Sequence, residues 1–367
     1  MPAPHPTRPL PAADPALRLR ARGAGANPVS RFDPYVREVE ADGWDLPVED
    51  QLARTEVSFE RPRSALTRND SPDVPFDRSV NPYRGCEHGC IYCFARPSHA
   101  YLGLSPGVDF ETKLTARPSI PEVLAKELSR KGYRPAPIAL GTNTDPYQPI
   151  EARHRIMRGI LQVLSDFRHP VTIVTKGAMI ERDLDLLAPM AAAGLAHVGI
   201  SVTTLDPDLC RRLEPRAPSP QRRIAAIRTL AAAGVPVRVM ASPIIPVLTD
   251  AEGEAILAAA AEAGATAASW ILLRLPHEVA PLFVDWLRRN YPGKAEHVMS
   301  RLRAMRGGRA NDPRFTSRMR GEGPEAEMLH LRMRVAAKRL GLEKERRALD
   351  CSQFRVPPKA GDQLSLF

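Results

Sequence analysis

The sequence predicts an α/β protein, a partial barrel of about six βα units that forms an open version of the (β/α)8 barrel. The first observation is a joint that occurs three times, in AAAGLAHVGISV, AAAGVPVRVM and AEAGATAASW. In each, an Ala-rich helical segment ends at a Gly, which can adopt the left-handed conformation of a helix terminus, and an apolar strand follows. The second observation is that helical and strand-like segments alternate from residue 61 to residue 280, which is typical of a parallel sheet covered by helices. In such folds the chemistry lies at the carboxyl ends of the strands.

The elements are predicted in chain order. Residues 1–60 carry many Pro, Arg and Ala residues and little periodicity, which predicts a disordered or extended arm. The segment FDRSVNPYRG predicts a first strand with its exit loop. The later strands are predicted at 138–140, 171–175, 197–204, 235–241 and 266–275, and the helices at 119–132, 151–167, 182–194, 220–233 and 250–263. The partial barrel therefore spans residues 61–280.

The C-terminal part has a different composition. Residues 281–350 predict a helical, basic extension, and residues 351–367 predict a flexible tail. Five arginines of the extension are candidates for phosphate contacts, namely Arg301, Arg303, Arg306, Arg309 and Arg320. The alternative for these arginines is a solvated basic helix face.

Composition excludes several classes of protein. The 367 residues are 43% hydrophobic and 26% charged, as in a soluble globular protein. No apolar run is long enough for a membrane span, and the N-terminus lacks the apolar core of a secretory signal, so we expect a cytoplasmic protein with no membrane partner. The net charge of +10 suggests a polyanionic partner such as DNA, although an Arg-rich composition can also reflect a genome rich in G and C.

The strongest motif is NPYRGCEHGCIYCFARP, in which Cys86, Cys90 and Cys93 have the spacing Cys-x3-Cys-x2-Cys. Three thiolates this close can each bind one iron of a cubane, and without a nearby fourth cysteine one iron stays open to another ligand. The alternative is a zinc site that adds His88 or His99 to the three cysteines. Structural zinc sites, however, usually use two separated pairs of ligands.

These residues carry a resemblance to a known family. The three cysteines after a first strand, with Tyr92 just before the third, resemble the radical S-adenosylmethionine (SAM) superfamily. The segments RNDSPDVPFDRSVNPYRGCEHGCIYC, GTNTDPYQPIE and TKG are similar to the bacterial branch related to spore photoproduct lyase. The resemblance implies a radical SAM barrel whose cofactors are a [4Fe–4S] cluster and SAM. The cluster would be reduced by an electron donor such as flavodoxin or ferredoxin. The resemblance further implies that one electron cleaves SAM and that the resulting 5′-deoxyadenosyl radical abstracts hydrogen from a substrate.

The resemblance also implies which strand ends contact SAM. Asn143, Thr144 and Asp145 are the candidates for the SAM amino group, because they end the second strand, although the usual Gly-Gly-Glu motif is absent there. Thr175 and Lys176 would contact the carboxylate, and Ser201 the ribose. For each of these residues the alternative is a helix cap or a turn. No catalytic residue is assigned, and the cysteine that returns hydrogen in spore photoproduct lyase has no counterpart, since no cysteine lies between Cys93 and Cys210.

The last five residues resemble the peptide by which bacterial polymerases and repair factors dock on the replicative sliding clamp. Leu366 and Phe367 would enter an apolar pocket while Gln363 hydrogen-bonds at its rim, and Leu364 is a further partner-binding candidate. The alternative is an incidental apolar tail. Charge and tail together favour DNA repair or DNA modification, by an enzyme of lyase or transferase type whose reaction is unassigned. The alternatives are radical chemistry on RNA, protein or a small molecule, or a non-catalytic, metal-stabilised DNA-binding adaptor.

Overall fold

The structure is a computed structural model that describes residues 22–32, 54–343 and 348–358. Its strands are β1 (Glu56–Phe59), β2 (Thr67–Arg68), β3 (Arg78–Val80), β4 (Tyr83–Arg84), β5 (Lys113–Ala116), β6 (Ile138–Leu140), β7 (Val171–Thr175), β8 (Ala196–Ser201), β9 (Val237–Ile244) and β10 (Ala267–Leu272). Its α-helices are α1 (Asp109–Thr112), α2 (Ile120–Leu128), α3 (Glu151–His154), α4 (Ile156–Asp166), α5 (Leu184–Ala192), α6 (Pro207–Leu213), α7 (Pro220–Ala232), α8 (Gly253–Glu262), α9 (Val279–Asn290), α10 (Ala295–Ala304), α11 (Ser317–Arg320) and α12 (Pro324–Arg339). Two 3-10 helices span Arg96–Leu102 and Ala178–Asp183.

The main sheet has the predicted architecture. Its strand order is β10-β9-β8-β7-β6-β3-β2. The strands from β3 to β10 in this sheet are parallel, and β2 adds an antiparallel edge. At the three repeated joints Gly194, Gly234 and Gly264 have φ of 72°, 77° and 96°, so each helix ends at the residue type that tolerates this conformation. The prediction of a partial barrel of six parallel strands is therefore confirmed.

The two faces of the sheet differ in chemistry. One face packs against the helices through buried apolar side chains such as Val171 and Ile173 of β7. The alternate residues of the same strands, including Thr172, His197 and Arg238, line a cavity of about 1470 Å³. No helix of the described ranges is both long and apolar enough to cross a membrane.

The predicted arm over residues 1–60 needs correction at two places. Strand β1 pairs in parallel with β5, which also pairs with β4 to form a second, small sheet. Residues 22–32 also pack on the barrel, because the amides of Gly23 and Ala24 donate to the Glu111 carboxylate over 2.9 Å each. Both contacts join positions far apart in the chain, which local composition does not reveal.

The C-terminal extension is helical, as predicted, but two of its features differ from the prediction. Arg306 is buried and donates to the carbonyl oxygens of Leu272 and Leu273, so it is not a phosphate contact. Residues 351–358 are not a free tail, because Phe354 packs on Tyr133 and the Arg355 amide donates to a barrel carbonyl over 3.0 Å. The predicted clamp-binding residues 363–367 lie outside the described residues.

Candidate active site at the carboxyl ends of the strands

The cysteine loop connects β4 to the first 3-10 helix. Cys86 and Cys90 are buried and Cys93 is half-buried, and all three are free thiols. The Cys86 amide donates to the carbonyl oxygen of Phe110 over 2.9 Å. At Gly85 φ is 74°, and a Cβ there would lie 2.8 Å from the same oxygen, so the entry to the loop requires glycine.

Two side chains after β6 hold this loop. Thr144 donates its hydroxyl to the carbonyl oxygen of Gly85 over 2.6 Å. Gln148 is fully buried, donates to the Thr144 hydroxyl over 2.9 Å and accepts from the Glu87 amide over 2.8 Å. The end of β6 and the cysteine loop are therefore one hydrogen-bonded unit.

Asp145 links the same loop to the end of β7. Its carboxylate accepts from the Thr175 hydroxyl over 2.5 Å and from the Lys176 amide over 2.8 Å, and it lies 3.3 Å from Nδ1 of His88. Burial raises the pKa of Asp145, but the His88 charge and the hydrogen bonds outweigh it and lower the pKa below its usual range. Asp145 is thus ionised and joins the segment after β6 to the end of β7.

Lys176 is half-buried and places a positive charge beside the cysteines. Its Nζ lies 5.7 Å from the ring centroid of Tyr92. Burial lowers the pKa of Lys176, but the neighbouring Cys90 and Glu214 raise it above its usual value. The ammonium is therefore charged at neutral pH.

Behind Lys176 lies a buried network that the sequence did not predict. The Glu214 carboxylate accepts from the hydroxyl of Tyr92, from that of Thr203 over 2.7 Å, and from the guanidinium of Arg223. Burial raises the pKa of Glu214, but the charges of Arg223 and Lys176 lower it to about 2. No spacing in the sequence indicates this network, because Tyr92 and Glu214 are 122 positions apart.

Of the two remaining predicted positions, one contacts the 3-10 helix that follows the loop and the other contacts the Glu214 network. Asn143 donates its amide NH2 to the Ser98 hydroxyl over 3.4 Å. Ser201 is buried at the end of β8, and its carbonyl oxygen accepts from Arg223 over 3.2 Å. The structure therefore brings the predicted strand-end residues and the cysteine loop to one edge of the sheet.

The thiols suit iron better than the proposed zinc alternative. Nε2 of His99 donates to the carbonyl oxygen of Lys113 over 2.9 Å, while its Nδ1 is buried with no hydrogen-bond partner among the described residues, and Nδ1 of His88 lies 3.3 Å from the Asp145 carboxylate. Within the described ranges no group of three His, Cys, Asp or Glu side chains is arranged to share one metal ion. A cubane does not need such a group, because each thiolate binds a different iron. The donor set of three soft thiols on one loop therefore fits a [4Fe–4S] cluster.

Fold and site together define a barrel enzyme with a three-cysteine loop at the carboxyl ends of its strands. Residues 80–260 match the radical SAM superfamily. An uncharacterized protein of Mycobacterium tuberculosis is 41% identical over 247 residues, which are 66% of this chain and 71% of that protein. An uncharacterized protein of Methanocaldococcus jannaschii is 30% identical over 174 residues, which are 47% of this chain and 62% of that protein.

Among solved structures the fold is similar to that of spore photoproduct lyase. A mutant of that enzyme with bound AdoMet and dinucleoside spore photoproduct gives a TM-score of 0.52 at 16% identity, over 83% of this chain and 85% of the other. The chain belongs to the radical SAM superfamily. It is an enzyme, and its cofactors are those of the superfamily, a [4Fe–4S] cluster and SAM.

Proposed function

We propose that Cys86, Cys90 and Cys93 hold the [4Fe–4S] cluster and that the enzyme uses SAM to repair or modify DNA. The observation that carries the proposal is the hydrogen-bonded edge just described, where Thr144 and Asp145 join the three-cysteine loop to the ends of β6 and β7. The cluster, when bound, supplies the electron that cleaves SAM to a 5′-deoxyadenosyl radical. A small acidic electron carrier, such as a flavodoxin or ferredoxin, would supply that electron.

The chain's own residues then have distinct tasks. The Lys176 ammonium pairs with the SAM carboxylate, since a point charge suits that group. The side chain of Asn143 faces the SAM amino group, and the strand end at Ser201 faces the ribose. Thr144, Asp145 and Thr175 contribute less by contact with SAM than by fixing the loop, because their side chains bond to protein groups.

Three observations support DNA as the substrate. The net charge of +10 favours a polyanion. The fold is similar to that of spore photoproduct lyase, which has been solved with a dinucleoside spore photoproduct. The last five residues, finally, resemble a sliding-clamp peptide.

The test uses the full chain, reconstituted anaerobically with iron and sulfide and reduced with dithionite in the presence of SAM. We expect 5′-deoxyadenosine, released faster when ultraviolet-damaged DNA is added than when intact DNA is added. If RNA, a protein extract or a metabolite fraction stimulates release and no DNA does, the DNA substrate is wrong. A colourless protein with stoichiometric zinc would contradict the radical mechanism itself.

A further inference from the structure

Two exposed phenyl rings lie beside guanidinium groups near the carboxyl end of the barrel. Phe94 directly follows the third cysteine, and Cζ of Arg274 lies 5.8 Å from its ring centroid. Cζ of Arg318 lies 4.5 Å from the ring centroid of Phe315. Both phenylalanines are 54% exposed. We call Phe94, Arg274, Phe315 and Arg318 the rim patch.

Arg274 has hydrogen-bonding capacity that the protein does not use. Its Nη1 donates to the sulfur of Met319 over 3.6 Å, and its Nε is buried with no hydrogen-bond partner in the part of the chain that the structure describes. Within the described ranges it makes no hydrogen bond to a carboxylate. Arg318 differs, since it donates to the Asp73 carboxylate and, over 2.5 Å, to the Ser71 hydroxyl.

The backbone before Arg274 is fixed by a hydrogen bond, and positive charge is in excess around its side chain. Buried Arg306 donates from Nε to the carbonyl oxygen of Leu273 over 3.0 Å and so fixes the backbone just before Arg274. Burial and the charge of Arg318 lower the pKa of Arg274, while Asp73 opposes them. A bound anion would relieve the repulsion among these guanidinium groups.

The rim patch also adjoins the interior of the barrel. Met319, which contacts Arg274, lines the cavity of about 1470 Å³, together with Thr142 at the end of β6. A linear polymer bound to the rim patch could therefore place one of its monomers in the cavity.

We propose that the rim patch binds a single-stranded stretch of DNA, with Arg274 on a phosphate and Phe94 and Phe315 stacked on bases. This inference rests on the proposed function and names the surface through which it meets its substrate. Single-stranded DNA fits because an exposed ring can stack only on a base that has left its own stack, and every base offers a face for it. The Arg274 guanidinium supplies the positive charge that binds the phosphate backbone of the DNA.

The test measures the affinity of the reconstituted full chain, with SAM, for a fluorescent single-stranded oligodeoxynucleotide over a series of salt concentrations. Arg274→Gln should weaken binding about tenfold and lower the slope of log K against log salt by about one. Phe315→Ala should weaken binding about tenfold and leave that slope unchanged, because a ring releases no counterion. The control is Arg332→Gln, an exposed arginine on α12 that pairs with Glu254 over 2.8 Å, and it should bind like the wild type.

Cluster absorbance and circular dichroism check that each variant folds, and Phe315→Leu, which keeps apolar volume without a ring, separates stacking from packing. Wild-type binding by Arg274→Gln, or an equal loss in Arg332→Gln, would overturn the inference. Tighter binding of the same sequence as RNA through the same residues would overturn DNA as the occupant. Release of 5′-deoxyadenosine without DNA is measured on the same samples. Cleavage without patch-dependent binding refutes only this inference, whereas patch-dependent binding without cleavage refutes only the proposed function.

Discussion

At the scale of single residues, the site depends on charges buried beside the cysteine loop. Cys90 and Glu214 raise the pKa of Lys176, and His88, the Lys176 amide and the Thr175 hydroxyl lower the pKa of Asp145. The sequence indicated Lys176 and Asp145 through the family resemblance, which implies SAM contacts at the strand ends. It could not indicate Glu214 or Gln148, since their partners are set by packing between distant segments.

Lys176→Gln should raise the KM for SAM by about tenfold or more, because a charge-assisted contact is lost. Iron content should stay at the wild-type level, since Lys176 is not a ligand. The matched control is Lys113→Gln, an exposed lysine that pairs with Asp109 over 3.2 Å. Equal KM values for the two variants would show that Lys176 does not contact SAM.

His169 should make stability depend on pH. Burial lowers the pKa of its imidazole to about 4, while the ring accepts from the Tyr133 hydroxyl over 2.8 Å. The unfolded chain binds this proton below about pH 6.5, so acidification favours unfolding between the two values. From pH 7 to 5.5 the wild type should lose about 1 kcal/mol more than His169→Gln in urea unfolding. Equal losses would place the pH dependence elsewhere.

At the scale of elements, α1 joins the N-terminal segment to the cysteine loop. Glu111 and Arg96 form a fully buried ion pair, with Nη2 and Oε1 2.5 Å apart, and Glu111 also accepts from the amides of Gly23 and Ala24. Arg96 in turn donates to the carbonyl oxygen of Cys90 over 2.9 Å. A substitution of Glu111 should therefore alter the packing of the cysteine loop.

Glu111→Gln should lower the free energy of unfolding by about 3 kcal/mol, because Arg96 keeps a buried charge without its partner. It should also speed proteolysis within residues 22–32. Glu60→Gln is the control: Glu60 pairs with Arg84 and Arg117 but is 35% exposed, and the loss should stay below about 1 kcal/mol. Urea unfolding of the two variants measures the difference, and similar losses would contradict the role of Glu111.

The three helix–Gly–strand joints, together with the alternation of helical and strand-like segments, predicted the six parallel strands, because those signals are local. The small sheet of β1, β5 and β4 and the packing of residues 351–358 were missed. Both depend on pairings between segments far apart in the chain, for which composition carries no signal. Site residues that directly follow a strand were predicted best. Buried side chains that form hydrogen bonds between distant elements were predicted worst.

At the scale of the whole molecule, the C-terminal peptide would connect the barrel to the replication machinery. Deletion of residues 363–367 should abolish binding to immobilised sliding clamp, because the apolar anchors Leu366 and Phe367 are lost. A chain with the same five residues in scrambled order is the control and should also fail to bind. SAM cleavage should be unchanged in both. Clamp binding that survives the deletion, or is absent from the full chain, would refute this prediction.

The central claim is that Cys86, Cys90 and Cys93 hold the cluster that cleaves SAM. The most direct measurement is 5′-deoxyadenosine release by anaerobically reconstituted chain, compared between Cys93→Ser and Cys210→Ser. Cys210 is a matched control, because it is a buried thiol that contacts Glu214 and Arg223 rather than the loop. The account predicts that Cys93→Ser loses the cluster absorbance and product release, while Cys210→Ser keeps the cluster and cleaves SAM. Release that survives Cys93→Ser, or is absent from iron-loaded wild type, would contradict it.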